Sequence, residues 1–413
     1  MSTKNFTQFD TAAPLTSADY IVGYKADGTA ELKATLNQVV NLVGANETLQ
    51  ISSVQIRTKP TVNIFIGDGT TGRDAATGTH NFVFGLSAGN TLTTGSNNVF
   101  IGNCAGRSNC SGLSNNFLGS SAGDSNINGR HNNFLGASAG CSNTAGQHNN
   151  FIGNRTGYSN TTGGCNNFLG CSAGFSNISG GHNNFFGFAA GFCNTISCHN
   201  NFLGYKAGYS NSNPTGINNN FLGRLAGQSN VSGNNNNFLG NSSGGSSLSG
   251  SFNNFLGSQT GFCNTTGAYN NFFGCVAGYC NTTGAYNNFL GAGSGRGNTT
   301  GGNNNFIGSN AGHGNTTGSY NTSLGFRAGC FNVTGSNNIF IGNNANTASA
   351  QTSALSGVIA IGTGATAQLN NELSIGSLTW PLSTRSDNTF TGQVSSVILR
   401  LNGSLFRVPI IPV

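Results

Sequence analysis

The chain has 413 residues, and only 6% of them are charged, with 16 Lys and Arg against 10 Asp and Glu; an ordinary soluble domain carries about 25%. Its 65 Gly and 6 Pro show no three-residue glycine period, which excludes collagen. Its 30 Phe exclude a highly charged, disordered chain. No stretch of about 18 apolar residues is present, so no membrane-spanning helix is expected.

Residues 1–62 form the first predicted unit, a small α+β module without a repeat. Tyr20–Tyr24 is typical of a strand, Lys25–Gly28 of a turn, and Thr29–Ala34 of a second strand. Thr35–Gln38 has the pattern of a helix capping box, and apolar residues at helical spacing follow it. The beginning of the chain has no continuous apolar stretch, so no secretory signal is expected.

The stretch FDTAAPLTSADYIVGYKADGTAELKATLNQVVNLV resembles the N-terminal module of many fibre and collar-type virion proteins of tailed bacteriophages. The shared features are a polar lead-in, an aspartate before an apolar strand, a short turn, a second strand and a brief helix. The resemblance covers Phe9 to Val43. It implies that residues 1–62 attach a fibre to the particle by binding other virion proteins.

A 17-residue repeat fills residues 63–346. It is centred on the sequence Asn-Asn-Phe-Leu-Gly, whose glycine we call the anchor glycine; the first is Gly67 and the last is Gly342. Successive anchor glycines are separated by 18 residues, then seven times by 17, then by 19, then seven times by 17. The two extra residues fall in Ser212–Thr215, where a loop insertion leaves the period intact.

This period indicates one coil of a parallel β-solenoid, because a two-helix repeat needs about 33 residues and the high glycine content disfavours helix. Glycine and asparagine suit the corners, and identical residues stack from coil to coil, about 4.8 Å apart. An Asn four residues before every anchor glycine predicts a ladder of amides bonded between coils. The predicted structural ladders contain Asn115, Asn132, Asn149 and Asn166, and Phe117, Phe134, Phe151 and Phe168.

Adjacent apolar residues, such as Phe134 and Leu135, face opposite sides of one strand. One column is expected to fill the coil, so the other forms an apolar stripe along the rod, larger than a soluble monomer normally exposes. The same stripe on sister chains around a rotation axis would cover it. This predicts a homotrimer of intertwined or side-by-side chains. The alternative is that one column lies at a coil corner and stays partly exposed.

Two further units follow the repeat. Residues 347–380 change to a period of 14, from Ala360-Ile361-Gly362 to Ser374-Ile375-Gly376. The segment AIGTGATAQLNNELSIG resembles the head repeat of trimeric autotransporter adhesins, which implies a parallel β-roll that assembles as a trimer. Residues 381–413 contain a β-hairpin signal around Asn402-Gly403, which we expect to cap the last coil.

Two columns that vary between coils hold the candidate binding residues. Five residues after the anchor glycine, recurring aromatics predict a receptor or glycan-stacking stripe of Tyr158, Phe175, Phe192, Tyr209, Phe262 and Tyr279. The alternative is that these aromatics stack on one another and shield a coil corner or the seam between chains. No metal is expected, because no acids are present to orient ligand histidines. A metal would require a three-fold axis through the histidine column of His131, His148, His182 and His199.

Charge and cysteine content narrow the function. Between Gly85 and Gly342 the only acid is Asp124, and seven bases are dispersed along the sequence. The dispersal argues against a nucleic-acid partner, and the shortage of acids excludes paired catalytic carboxylates. No motif pairs a nucleophile with a base, so neither an enzyme nor a cofactor is expected. The 11 Cys form no Cys-x-x-Cys pair and no zinc spacing. Their odd number, without a secretory signal, favours free thiols in a protein made in a reducing cytosol.

Together these features predict a structural fibre protein of a tailed-phage virion, assembled in the host cytoplasm and exposed on the particle, that attaches to the host surface through many weak contacts. Its expected partners are copies of itself, other virion proteins, and a glycan or protein of the host surface, without membrane insertion. The first alternative is a spacer or head decoration without receptor binding. An ice-binding solenoid is disfavoured by its irregular Thr-Thr pairs, and a bacterial adhesin by the missing export signal.

Overall fold

The computed structural model describes residues 77–212, 216–348 and 354–376, together with shorter strands on either side of them. These described residues form strands, turns and bends, and none of them is helical. The strands that precede the first anchor glycine's strand are β1 (Lys4–Asn5), β2 (Ile21–Tyr24), β3 (Ala30–Glu31), β4 (Thr48–Ile51) and β5 (Val54–Lys59).

Each repeat then contributes one short strand that ends at or just before its anchor glycine. These strands are β6 (Asn63–Gly67), β7 (Phe82–Phe84), β8 (Val99–Ile101), β9 (Asn116–Leu118), β10 (Asn133–Leu135), β11 (Asn150–Ile152), β12 (Asn167–Leu169), β13 (Asn184–Phe186), β14 (Asn201–Leu203), β15 (Asn220–Leu222), β16 (Asn237–Leu239), β17 (Asn254–Leu256), β18 (Asn271–Phe273), β19 (Asn288–Leu290), β20 (Asn305–Ile307), β21 (Thr322–Leu324) and β22 (Ile339–Ile341). The remaining strands are β23 (Asn346–Thr347), β24 (Ile359–Ile361), β25 (Thr366–Ala367), β26 (Leu373–Ile375), β27 (Ser396–Leu401) and β28 (Ser404–Pro409).

Neighbouring strands from β6 to β22 pair in parallel, so each residue lies beside its counterpart one coil away. Phe134, for example, pairs with Phe117 on one side and with Phe151 on the other. The 19-residue step preserves this register, because Asn201 still pairs with Asn220. The predicted fold class is confirmed: the chain is an all-β, parallel β-solenoid with coils of 17 residues.

The start of the rod carries antiparallel strands that the sequence did not indicate. Strand β5 pairs antiparallel with β4 and also with β6, the first strand of the parallel ladder. An unpaired first strand would offer a free edge for aggregation, and β5 covers it. Farther upstream, β2 and β3 are antiparallel, in agreement with the two predicted strands. The helix predicted after Thr35 lies outside the described residues.

At the other end the coil shortens. Strand β22 pairs with β24, and β24 pairs with β26 at an offset of 14 residues, which joins Ile361 to Ile375. A second, two-stranded ladder forms between β23 and β25. Strands β27 and β28 are antiparallel and pair Leu401 with Ser404, which places Asn402-Gly403 at the predicted hairpin turn. That this hairpin caps the last coil stays a prediction.

The core of the rod is a stack of phenylalanine rings. Phe134, two residues before its anchor glycine, is 0% exposed, and its ring centroid lies 4.8 Å from those of Phe117 and Phe151. An alanine three residues after most anchor glycines packs beside this column. In the described residues the stack is interrupted twice. Val83 lies between Phe65 and Phe100, and the polar Ser323 lies between Phe306 and Phe340. The apolar core is accordingly divided into two clusters, one on each side of Ser323.

Three asparagine columns bond the coils together. In the predicted column, the Oδ1 of buried Asn115 accepts from the backbone N of Asn132 at 3.0 Å, and its Nδ2 donates to the carbonyl of Gly129 at 2.8 Å. Its main partners are therefore backbone groups of the next coil, where the sequence suggested side-chain amides. Side-chain amide ladders do form in two other columns, as between Asn143 and Asn126 at 2.7 Å. Most buried amides are thus hydrogen-bonded along the rod; the Oδ1 atoms of Asn90, Asn230 and Asn315 are buried without a partner among the described residues.

The anchor glycine is required by both backbone conformation and space. Gly136 has a φ of 136°, in a region that side chains rarely adopt, and an added Cβ would lie 2.5 Å from the carbonyl oxygen of Gly153. Two other columns hold left-handed residues that do carry side chains, as at His131 with a φ of 56° and Arg155 with a φ of 54°. These corners turn their side chains outward, and the candidate binding residues lie there or close by.

Candidate functional site

The residue immediately before each anchor glycine points outward and forms what we call the apolar ladder. Leu135 is 36% exposed, whereas Phe134 beside it is fully buried. The strand alternation therefore places Phe inside and Leu outside. The ladder contains Phe84, Ile101, Leu118, Leu135, Ile152, Leu169, Phe186, Leu203, Leu222, Leu239, Leu256, Phe273, Leu290, Ile307, Leu324 and Ile341.

The apolar ladder continues through the change of period. Ile341 pairs with Ile361 and Ile361 with Ile375, so both 17-residue and 14-residue coils present an apolar side chain there. Beside it runs an outward asparagine column, in which Asn133 Nδ2 donates to Asn150 Oδ1 at 2.7 Å. These amides bond to one another along the rod. The outward face of the strands is consequently uncharged, and the surface that a partner could contact there is mostly apolar.

The predicted aromatic stripe forms two stacks along one corner. Tyr158, Phe175, Phe192 and Tyr209 have successive centroid distances of 5.2, 4.9 and 5.1 Å, with ring planes within 9° of parallel. Phe262 and Tyr279 form a separate pair at 5.4 Å. All six side chains are half-buried.

This geometry limits how the aromatic stripe could bind. A sugar stacks on the face of an aromatic ring, and here each ring covers the face of its neighbour. The edges of the rings and the two end faces of each stack are what a ligand could reach. The arrangement therefore suits shielding of a coil corner well, while a role of the stripe in receptor binding stays a prediction.

The histidine column lies on a different corner, twelve residues after the anchor glycine. His131 stacks on His148 at 4.8 Å, and His182 stacks on His199 at 4.9 Å. Exposed Cys165 separates the two pairs. Within the part of the chain that the structure describes, no three His, Cys, Asp or Glu side chains are grouped as a metal site requires.

The bases that are dispersed along the sequence are aligned in the fold. Six of the seven lie one, two or five residues after an anchor glycine, in the turn that follows the apolar ladder. The exception is Arg130. We call this line the cationic edge; its members are Arg107, Arg155, Lys206, Arg224, Arg296 and Arg327. Stacking of 17-residue coils brings bases that are distant in the sequence into the same turn of different coils. That no nucleic acid binds the chain stays a prediction.

Only the first base of the cationic edge is paired with a carboxylate in the described residues. The guanidinium of Arg107 forms an ion pair with the carboxylate of Asp124. Its Nε lies 2.8 Å from Oδ1, and its Nη2 donates to Oδ2 at 2.9 Å. Burial raises the pKa of Asp124 above its usual value, although the charge of Arg107 and its hydrogen bond oppose that shift. No acid occurs between Asp124 and Glu372 in the sequence, so the coils that carry the other five bases of the edge contain no carboxylate.

Aromatic rings take the place of acids beside several of these bases. The guanidinium of Arg155 lies 5.3 Å from the ring centroid of Tyr158 and 5.0 Å from that of Phe175. The Nζ of Lys206 lies 5.4 Å from Tyr205 and also 5.4 Å from Tyr209. Such cation–π contacts orient a charge without neutralising it.

All 11 cysteines are free thiols in the structure. Burial raises the pKa values of the Cys141, Cys193 and Cys263 thiols, so they carry little thiolate at neutral pH. In Cys141 the nearby carboxylate of Asp124 adds to this effect. These cysteines therefore have the character of structural residues and not of nucleophiles.

Sequence reasoning did not identify the cationic edge, although its signal was present. Counting each base from its own anchor glycine, instead of along the chain, gives the alignment directly. The sequence also did not show which of the Phe and Leu columns is internal. Two adjacent residues of a strand face opposite sides, but this alternation does not say which side is the core. The larger, stackable ring proves to be the buried one.

Comparison with known proteins gives no match to a protein family, to a curated protein or to a solved structure. Among the residues that the structure describes, no helix has the length and apolarity that a membrane crossing requires. The fold itself defines the class to which the chain belongs, the β-solenoid repeat proteins.

Proposed function

We propose that the protein is the structural shaft of a tailed-phage appendage, a homotrimeric fibre in which three copies pack their apolar ladders together. The shaft holds a fixed distance between the particle and the host surface and repeats the same surface along its length. Attachment then arises from many weak contacts acting together. The single observation that carries this proposal is the unbroken apolar ladder.

The size of the apolar ladder supports self-association. Full burial of one such side chain is worth about 1.5–3 kcal/mol. The ladder has an apolar residue at every anchor glycine from Gly85 to Gly342, so partial burial at each coil adds up over the rod. That sum is comparable to or larger than the cost of association, which is about 4–15 kcal/mol.

The periodicity of the ladder favours a second copy of this chain as the partner. A partner can contact every coil only if its own spacing matches the coil spacing, and an identical chain does so by construction. The flanking asparagines are already bonded to one another, as Asn133 is to Asn150, and no charge lies in the strand face to oppose a neutral partner. Symmetry around a rotation axis then closes the assembly.

Attachment to a virion is supported by the N-terminal resemblance to phage fibre proteins and by the rod shape that stacked coils produce. A spacer without its own receptor site is the second candidate. The stacked aromatic column favours it, because rings such as Phe175 and Phe192 cover each other's faces at 4.9 Å. The two candidates differ in what lies at the far end of the rod.

Immunogold electron microscopy of phage particles from a culture that produces the chain tests this function. Antibodies raised against residues 77–348 are expected to label a thin external appendage along its length. Antibodies against residues 1–62 are expected to label its base. Absence of label from particles, with the protein recovered only in the soluble fraction, would contradict the virion role. A second protein beyond the labelled tip would identify the chain as a spacer.

A further inference from the structure

The cationic edge extends along much of the rod, with one base every one to four coils. Its six bases lie on coils spread over about 60 Å, at about 4.8 Å per coil. Arg155 and Lys206 occupy the same column three coils apart, and Arg224 follows in the next coil. Four of the five bases that face no acid are exposed, and Lys206 is half-buried. This line of unpaired positive charge is suited to an extended anionic partner.

A depression lies near the end of this edge. This open depression of about 360 Å³ is lined by Asn310, His313, Phe326, Arg327, Cys330 and Phe331. It combines a guanidinium with an amide and two partly exposed aromatic walls, which is the set of groups that a charged sugar contacts. Arg296 lies two coils before Arg327 on the same edge.

His313 shows that the positive field extends into the depression. Burial lowers the pKa of its imidazole, and the charges of Arg296 and Arg327 lower it further. The ring is therefore neutral at pH 7, where it can exchange hydrogen bonds with a hydroxyl group. Two arginines that act on one imidazole also act on any anion placed beside it.

We infer that the cationic edge binds an acidic polysaccharide laid along the rod, with one carboxylate or phosphate of the polymer held at Arg327 in the depression. This inference rests on the proposed attachment function and names its ligand class. A nucleic acid fits less well, because duplex DNA carries a charge about every 1.7 Å. The positive side chains of the edge are one to four coils apart, about 5–19 Å at about 4.8 Å per coil. The aromatic rings of the corner stack on one another and leave few ring faces free for nucleobases.

Binding of purified full-length protein to polygalacturonate, measured by isothermal titration calorimetry, tests the inference. The matched ligand control is the same polymer with its carboxylates methyl-esterified. Arg327→Gln is expected to weaken binding about tenfold, the effect of losing one charge-assisted hydrogen bond. Arg130→Gln removes the same charge from outside the edge and is expected to change the affinity less than about twofold. Gln already occupies the column of Arg327 at Gln259, so the variant retains a tolerated residue.

Three results would overturn the inference: equal binding of the esterified polymer, equal losses in the two variants, or tighter binding of a double-stranded DNA oligonucleotide than of polygalacturonate. Binding of polygalacturonate that weakens with added salt and with Arg327→Gln alone supports it. A teichoic-acid polymer as a second probe separates phosphate from carboxylate as the preferred group. Failure to bind any polyanion by a protein that still labels phage appendages would remove this inference and leave the proposed fibre intact.

Discussion

Replacing Phe151 by Ala is expected to lower the free energy of unfolding of the rod by about 4 kcal/mol. The side chain is fully buried, and its ring lies 4.8 Å from that of Phe134 and 4.9 Å from that of Phe168. Removal leaves a void and deprives two neighbours of a stacking partner at once. Because a solenoid coil contacts only its neighbours, the loss of stability should be centred on the coil of Phe151 and on the coils of Phe134 and Phe168 beside it.

Guanidinium unfolding followed by circular dichroism measures the loss, and hydrogen exchange locates it. Asn154→Ala, an exposed change three residues away, is the control and should alter stability by less than about 0.5 kcal/mol. The converse change is Ser323→Phe, which restores a ring between Phe306 and Phe340 and should stabilise the rod by about 1 kcal/mol. The buried hydroxyl of Ser323 has no hydrogen-bond partner among the described residues, so little is lost there. Equal effects of Phe151→Ala and Asn154→Ala would mean that the rings are not the core.

Replacing Leu135, Leu169 and Leu203 by Lys is expected to abolish self-association while each rod stays folded. The three positions lie on the apolar ladder, spaced two coils apart, and point away from the core. A charge buried between packed ladders is costly unless it is paired. The expected effect is a loss of at least about 100-fold in the association constant, or about 2.7 kcal/mol. Sedimentation velocity measures it.

The matched control changes three exposed residues outside the strand face, Asn128, Gln147 and Ser179, to Lys. It adds the same charge but leaves the apolar ladder intact, so it should sediment like the unaltered protein. Circular dichroism should show the same β content in both triple variants. Dissociation of both variants would mean that net charge, and not the ladder, governs assembly. Dissociation of neither would mean that the ladder is not the interface.

The architecture of the rod could be predicted because the repeat is so regular. A 17-residue period with glycine and asparagine at fixed places leaves few folds open, and the parallel register follows from it. The cap of β4 and β5 at the start was not predicted, because these strands lie in a non-repeating stretch. The pairing of β5 with β6 is set by tertiary structure.

The surface features were only partly predictable. An outward apolar column was expected, since adjacent strand residues face opposite sides, and Leu135 and Phe134 bear this out. The face-to-face stacking of Tyr158 and Phe175 agrees with the alternative of stacked aromatics that shield a corner or a seam. The cationic edge depends only on the coil period, yet it emerges only when the sequence is read by column.

The central claim is that the apolar ladder is covered by further copies of the chain. The measurement that tests it most directly is the native molar mass of the purified protein by multi-angle light scattering. The account predicts a mass about three times the chain mass of 42.1 kDa, independent of concentration in the micromolar range. A mass of one chain would contradict it, since sixteen coils would then expose their apolar side chains to water in the free protein.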